Sequence, residues 1–239
     1  MPRKEHRMSG KNSAAALALA ALLGGLGWLA LAGGAEPAVS LPAPTVDNPK
    51  QKGPLQTAVL AGGCFWGLQG VFEHVRGVHR VMAGYSGGAR TTAVYQEVGS
   101  GRTGHAESVQ ISFDPAEVSY GELLQIYFSV AHDPTELNRQ GPDTGSQYRS
   151  AIFYADDSQR HIAESYIAQL GTSAAFSQPI VTQLDPLKGF YNAEDYHQDF
   201  YLKNPHYPYI VVNDLPKIHN LKQLFPDYYR DFPATVSSH

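Results

Sequence analysis

Ala61-Gly62-Gly63-Cys64-Phe65-Trp66-Gly67 sets the only cysteine of a 239-residue chain between glycines, with two aromatic rings directly after it. Ahead of it, residues 55–61 read as a strand, with Leu55, Val59 and Leu60 among small side chains. Behind it, Leu68, Val71, Phe72 and Val75 recur at helical spacing as far as Gly77. Cys64 therefore stands where a strand turns into a helix. Unpaired N–H groups and the dipole at a helix N-terminus stabilise an anion, so the sequence predicts a thiol pKa below its reference of about 8.5. The bland alternative is a buried, inert cysteine; the strand, glycine and helix setting favours the reactive one.

The next informative stretch is an alternation. Glu107, Val109, Ile111 and Phe113 share one face of a strand, and Ala106, Ser108, Gln110 and Ser112 the other. Two readings of Glu107 follow. On the apolar face it loses hydration, its pKa rises from about 4.3 and it stays protonated near neutrality. At a strand end it bends out to solvent or pairs with an arginine.

Further strands are expected over residues 78–85, 150–154 and 180–184. Helices are expected from the capping box Ser119-Tyr120-Gly121-Glu122, from Asp156 to the stop at Gly171, over residues 195–203 and over residues 216–225. Strands and helices mix without strict alternation, which predicts an α+β two-layer sandwich rather than a doubly wound sheet. The polar loop holding Asp143 and Tyr148 is where binding residues tend to lie. The aromatic run Phe190, Tyr191, Tyr196, Phe200, Tyr201, Tyr207 and Tyr209 reads as a wrapping segment packed over the domain rather than a stacking platform for a ligand.

Composition is that of a soluble globular protein: 43% hydrophobic, 17% charged, net charge -4 and no basic field for nucleic acid. The N-terminus departs from it. Arg3, Lys4, Arg7 and Lys11 precede an uncharged apolar run over residues 14–32, so residues 1–35 are expected to be an export signal or a membrane anchor. Cleavage after Ala35 removes four bases and one acid from 18 and 22, leaving 14 against 21 and an acidic body of net charge -7. Residues 36–54, with four prolines, read as an extended linker, residues 55–230 as one catalytic domain and residues 231–239 as a tail. The location expected is periplasmic, or membrane-anchored facing the periplasm.

The ten histidines form no H-E-x-x-H and no i,i+4 pair, and there is no cysteine pair, nucleotide-binding glycine fingerprint or P-loop, so neither a metal nor a bound cofactor is indicated. Two chemistries remain. Acyl transfer or hydrolysis would use Cys64 as nucleophile and His105 or His132 as base. Sulfoxide reduction would use a thiolate, an acid to protonate the departing oxygen, hydroxyls to bind it and an apolar slot for the methyl group. The residues match the second better.

The motifs Gly-Cys-Phe-Trp-Gly at 63–67, Gly84-Tyr85-Ser86-Gly87-Gly88, Tyr95-Gln96-Glu97-Val98, Thr103-Gly104-His105-Ala106-Glu107, Phe113-Asp114-Pro115, His132-Asp133-Pro134, Gln147-Tyr148-Arg149-Ser150 and Tyr196-His197-Gln198 closely resemble the methionine sulfoxide reductase A family. The resemblance spans about residues 59–229. It implies the family's α/β sandwich with a mixed, ferredoxin-like sheet, and reduction of the S epimer of methionine sulfoxide, free or in proteins. By motif position it makes Cys64 the nucleophile that ends as a sulfenic acid, Glu107 the proton donor, and Tyr95 and Tyr148 the hydroxyls on the sulfoxide oxygen. Phe65 and Trp66 would house the methyl group, and Asp143 would hold the backbone side of the substrate. A monomer is expected. Many relatives carry further cysteines that attack the sulfenic acid; this chain has none, and Gly99 stands at one such place. Turnover then calls for an external thiol reductant, a thioredoxin- or glutaredoxin-like protein or a small thiol.

Overall fold

The protein's structure, a computed structural model, describes residues 38–236. The expected export signal or anchor lies outside the described residues, among which no helix is long and apolar enough to cross a membrane.

The chain runs β1 (Gln56–Ala61), α1 (Phe65–Glu73), β2 (Val78–Ser86), α2 (Tyr95–Val98), β3 (Ala106–Phe113), α3 (Tyr120–Ile126), β4 (Arg139–Gln140), β5 (Asp143–Thr144), β6 (Ala151–Tyr154), α4 (Asp157–Thr172), β7 (Gln183–Pro186), β8 (Phe190–Asn192), α5 (Phe200–Lys203) and α6 (Leu215–Leu224). Six strands form one sheet in the order β7-β6-β1-β3-β2-β8. All neighbours are antiparallel except β6 and β7, so the sheet is mixed and the α+β reading holds. β4 and β5 pair separately.

Alternation along β1 divides the molecule into its layers. Ala58 and Leu60 enter the large core with Phe72 of α1, Leu123 of α3, Ile162 of α4 and Leu221 of α6. Val59 and Ala61 point to the other face, into a small cluster with Ala106, Ala151 and Phe153 that Leu187 and Phe190 cover. The burial pattern of β3 follows the sequence parity: Glu107, Val109, Ile111 and Phe113 are all buried.

Local signals explain the helix ends. Ser119 Oγ accepts from the Glu122 N–H at 3.2 Å and Glu122 Oε2 accepts from the Ser119 N–H at 2.8 Å, the reciprocal box read from the sequence. Past Ile126 this helix widens into a π-turn over Tyr127–Ala131. There the Tyr127 hydroxyl donates to the Ala61 carbonyl at 2.6 Å, pinning the strand end that leads into Cys64.

Three expectations are corrected. The strand expected over residues 180–184 forms at Gln183–Pro186. The helix expected over residues 195–203 is broken at Gln198 and Asp199, because the Gln198 amide bonds the β2 backbone: Oε1 accepts from the Ala83 N–H at 2.9 Å and Nε2 donates to the Ala83 carbonyl at 2.9 Å. Residues 38–54 hold no helix or strand, yet they do not hang free as a linker would. Leu41 is buried, Tyr166 and Gln169 of α4 donate to the Pro42 and Ala43 carbonyls at 2.9 Å each, and Asp47 accepts from the Gly121 N–H at 2.9 Å. This stretch is a strap across α3 and α4.

Candidate active site

β1 ends at Ala61 and α1 begins at Phe65, so Cys64 occupies the N-cap of α1. Gly63 makes the turn at φ +87°, a left-handed conformation that side chains disfavour, and its N–H donates to the Tyr148 carbonyl at 3.1 Å. That bond ties the cysteine turn to the polar loop some eighty residues on. Cys64, Phe65, Trp66, Tyr95, Glu107, Asp143 and Tyr148, the seven residues singled out from the sequence, line one cavity of about 180 Å³ together with Tyr207 and Tyr209.

Glu107 reaches this cavity from the core face of β3. Its side chain is 3% exposed and Oε2 accepts from the Phe65 N–H at 3.1 Å. Of the two sequence readings, the buried acid is the one realised. Burial pushes its pKa up to about 8, with nearby Asp143 adding to the rise, while the Phe65 N–H and the Cys64 thiol work against it. The group is a neutral carboxylic acid at physiological pH.

The expected depression of the Cys64 pKa is not found. The Trp66 N–H at the start of α1 does favour the thiolate, as the helix N-terminus predicts. Desolvation by burial outweighs it, and the neighbouring acids Glu107, Asp214 and Asp143 resist a second negative charge beside them, so the thiol is held well above its ordinary value. The site rests with thiol and carboxyl both protonated.

Tyr95 opens α2 and Tyr148 ends the helical turn Ser146–Tyr148, so their hydroxyls enter from two loops. Burial and the neighbouring Glu107 raise both phenols, which keeps them hydrogen-bond donors. Glu194 accepts from the Tyr95 N–H and from the Tyr85 hydroxyl, each at 2.9 Å, fixing the start of α2 against the sheet.

Trp66 forms the apolar wall. Its ring stacks on Phe200 with centroids 3.8 Å apart and planes 9° from parallel, and its Nε1–H donates to His197 Nδ1 at 3.2 Å. Tyr207 and Tyr209 meet it edge-on at 6.3 and 6.0 Å. Phe65 is buried behind, against Tyr85 and His197. Asp143 accepts a hydrogen bond from the Tyr209 hydroxyl.

The C-terminal aromatics thus divide. Tyr201 wraps the domain as expected, its ring tilted on His74, which Tyr229 from further along the chain also stacks, whereas Tyr207 and Tyr209 belong to the cavity. Aromatic density alone could not separate the two groups.

Neither candidate base for acyl transfer is among the residues that line the cavity, and the ring nitrogens of both are engaged elsewhere. His105 accepts from the Gly88 N–H at 3.2 Å through Nδ1 and bonds the Ala89 carbonyl at 3.0 Å through Nε2. His132 is pushed down to about 3 by burial, and its nitrogens bond the Tyr127 carbonyl at 3.2 Å and Ser150 Oγ at 2.7 Å. Among the described residues no group of three or more His, Cys, Asp or Glu side chains is placed to hold a metal ion.

A family model described as peptide methionine sulfoxide reductase matches residues 56–228. The chain is 61% identical over 183 residues to peptide methionine sulfoxide reductase MsrA 2 of Mesorhizobium japonicum, covering 77% of this chain and 94% of that one. It is 55% identical to MsrA 2 of Synechocystis, covering 78% and 89%. Among solved structures, methionine sulfoxide reductase A of Corynebacterium diphtheriae superposes with TM-score 0.55 at 34% identity, covering 74% of this chain and 90% of that one. With the family model matched across most of the chain and the relatives aligned over nearly their whole length, the protein belongs to the peptide methionine sulfoxide reductase family.

Proposed function

We propose that the protein reduces methionine sulfoxide, free or in proteins, to methionine, taking the S epimer that the family resemblance implies. The observation that carries this reading is a cavity in which Cys64 shares walls with Tyr95, Tyr148 and a Glu107 that keeps its proton to about pH 8.

In this reading Tyr95 and Tyr148 hydrogen-bond the sulfoxide oxygen and Glu107 protonates it, which makes the sulfur electrophilic. Cys64 Sγ attacks that sulfur, the oxygen passes to Sγ, and the thiol proton returns to Glu107. The substrate sulfur gains two electrons and Cys64 loses two, leaving methionine and a Cys64 sulfenic acid. Trp66, with Phe65 behind it, accepts the methyl group, and Asp143, held by Tyr209, takes the backbone side of the substrate.

Cys64 is the only cysteine of the chain, so an external thiol attacks the sulfenic sulfur and releases water. A second thiol equivalent then cleaves the mixed disulfide and restores Cys64. A thioredoxin- or glutaredoxin-like protein or a small thiol would serve. Residues 1–35 direct export in this reading, so the reducing equivalents must be delivered to an oxidising compartment; N-terminal sequencing of protein recovered from the periplasm tests that step.

The test of the chemistry is one turnover without reductant. Each protein molecule should release one methionine and gain one oxygen on Cys64 by mass spectrometry, and dithiothreitol should then make the reaction catalytic. Hydrolysis of a p-nitrophenyl ester with no loss of sulfoxide would overturn the reading.

A further inference from the structure

Asp214 lies in the segment Ile210–Asp214 that leads into α6, fully buried, and neither of its carboxyl oxygens has a hydrogen-bond partner among the described residues. An unpartnered buried carboxyl costs stability. Its seat is a notch in the first turn of α1: a Cβ placed on Gly67 would come within 2.4 Å of Asp214 Oδ1 and 3.6 Å of Lys217 Cδ. The glycine that closes the Gly-Cys-Phe-Trp-Gly motif is therefore the residue that admits this carboxyl. Lys217 is itself 6% exposed. Asp214 and Lys217 thus pack against the first turn of α1, whose N-cap is Cys64.

Resting on the reading of Cys64 as the nucleophile, we propose that Asp214 is a positioning residue of the reductase site, a buried carboxyl stationed behind Gly67 that adds to burial in disfavouring a negative charge on the Cys64 sulfur. The groups that face one another here are few. Glu107 from β3, Asp143 from β5 and Asp214 surround the sulfur with acid, and Tyr95, Tyr148 and Tyr209 sense its charge. Lys217 and Asp143 act on Asp214 itself, in opposite directions. Burial lifts Asp214 to about 7, so it carries charge over the pH range in which a thiolate would otherwise form. A thiol held protonated resists oxidants and alkylating agents that act on thiolates. The arrangement guards a cysteine with no partner cysteine in the chain.

The experiment is the pH dependence of Cys64 alkylation by iodoacetamide in the parent and in Asp214→Asn, which keeps shape and removes charge. The midpoint should fall by about one unit in the variant. Above pH 7, where Asp214 is ionised in the parent, that is roughly tenfold more thiolate, trimmed to about threefold in rate because a less basic thiolate is a weaker nucleophile. Asp214→Asn should also unfold at a higher temperature, since it replaces an unpaired buried carboxyl; a scaffold residue would do the reverse. Gly67→Ala, which must displace the carboxyl, should shift the alkylation midpoint the same way. Parent-like midpoints in both variants, or a lower unfolding temperature in Asp214→Asn with an unmoved midpoint, overturn the proposal. Sulfoxide turnover by the parent in the same preparation separates that result from failure of the reductase reading itself.

Discussion

The backbone N–H of Phe65 donates to Oε2 of Glu107 at 3.1 Å, so the residue that follows the nucleophile also fixes the acid. Phe65 begins α1 and Glu107 sits in β3, two elements packed in the same core. The separation of the thiol and the buried carboxyl is thereby set by the packing of a helix on a sheet and not by a loop, which holds two groups in register more tightly.

Glu107 should act only while protonated. Transfer of oxygen from sulfoxide to thiol takes up no net proton, so the competent form is the one in which the pair holds both of its protons. With Glu107 raised to about 8, kcat/KM should be level below that pH and fall above it. Glu107→Gln should keep substrate binding, slow the chemical step by roughly 10² to 10⁴ and lose the alkaline limb. A parent profile that rises through pH 8 would mean that the thiol must shed its proton before substrate binds.

Tyr95 at the start of α2 and Tyr148 in the turn Ser146–Tyr148 line the same cavity, and in the proposed reaction both bind the sulfoxide oxygen, so each can partly cover for the other. Tyr95→Phe and Tyr148→Phe should each lower kcat modestly, while the double variant should lose about 10² to 10³, more than the product of the singles. Steady-state kinetics of the four proteins supply the cycle. Simple multiplication of the single effects would mean that the hydroxyls act independently.

The layers and the face on which Glu107 lies were legible because they depend on periodicity: the parity that put Glu107 with Val109, Ile111 and Phe113 is the parity of the buried face, while the choice between its two readings needed the fold. What was not legible depends on distant chain. A helix N-terminus is visible beside Cys64, but the burial that overrides it, and the acids at positions 107, 143 and 214 that reinforce that burial, come from distant chain. β8 is three residues long, too short for a pattern, and exists because Phe190–Asn192 pairs with β2. The proline-rich composition of residues 36–54 could not reveal that its carbonyls answer Tyr166 and Gln169 of α4.

That strap should contribute measurably to folding. Leu41 is buried among the core residues, and the Val39 N–H donates to the Ser129 carbonyl at 2.9 Å beside it. Leu41→Ala should lower the free energy of unfolding by about 2 to 3 kcal/mol, read from denaturant midpoints at constant m. A loss under half a kcal/mol, the size of a surface change, would mean that the strap is detached in solution.

Glu73 supplies a pH dependence of stability that is separate from catalysis. It is fully buried in α1, accepts from the Tyr201 hydroxyl at 3.0 Å and leaves Oε1 unpartnered. Burial, reinforced by the neighbouring Asp199 carboxyl, raises it from 4.5 to about 9. The unfolded chain releases this proton above its ordinary pKa while the folded chain keeps it, so the contribution to stability is complete below about 4.5 and is lost as pH rises toward 9. Glu107, raised to about 8, and Asp214, raised to about 7, have the same sign. His132, pushed down to about 3 from 6.5, opposes them only below 6.5. Between pH 6.5 and 8.5 the carboxyls therefore govern, and unfolding free energy should decline with pH by up to about 1.4 kcal/mol per unit for each group fully engaged. Glu73→Gln keeps a neutral polar side chain and should remove one proton's worth of that slope. Guanidinium midpoints at several pH values measure it, and an unchanged slope in the variant would mean that Glu73 is already ionised in the folded protein.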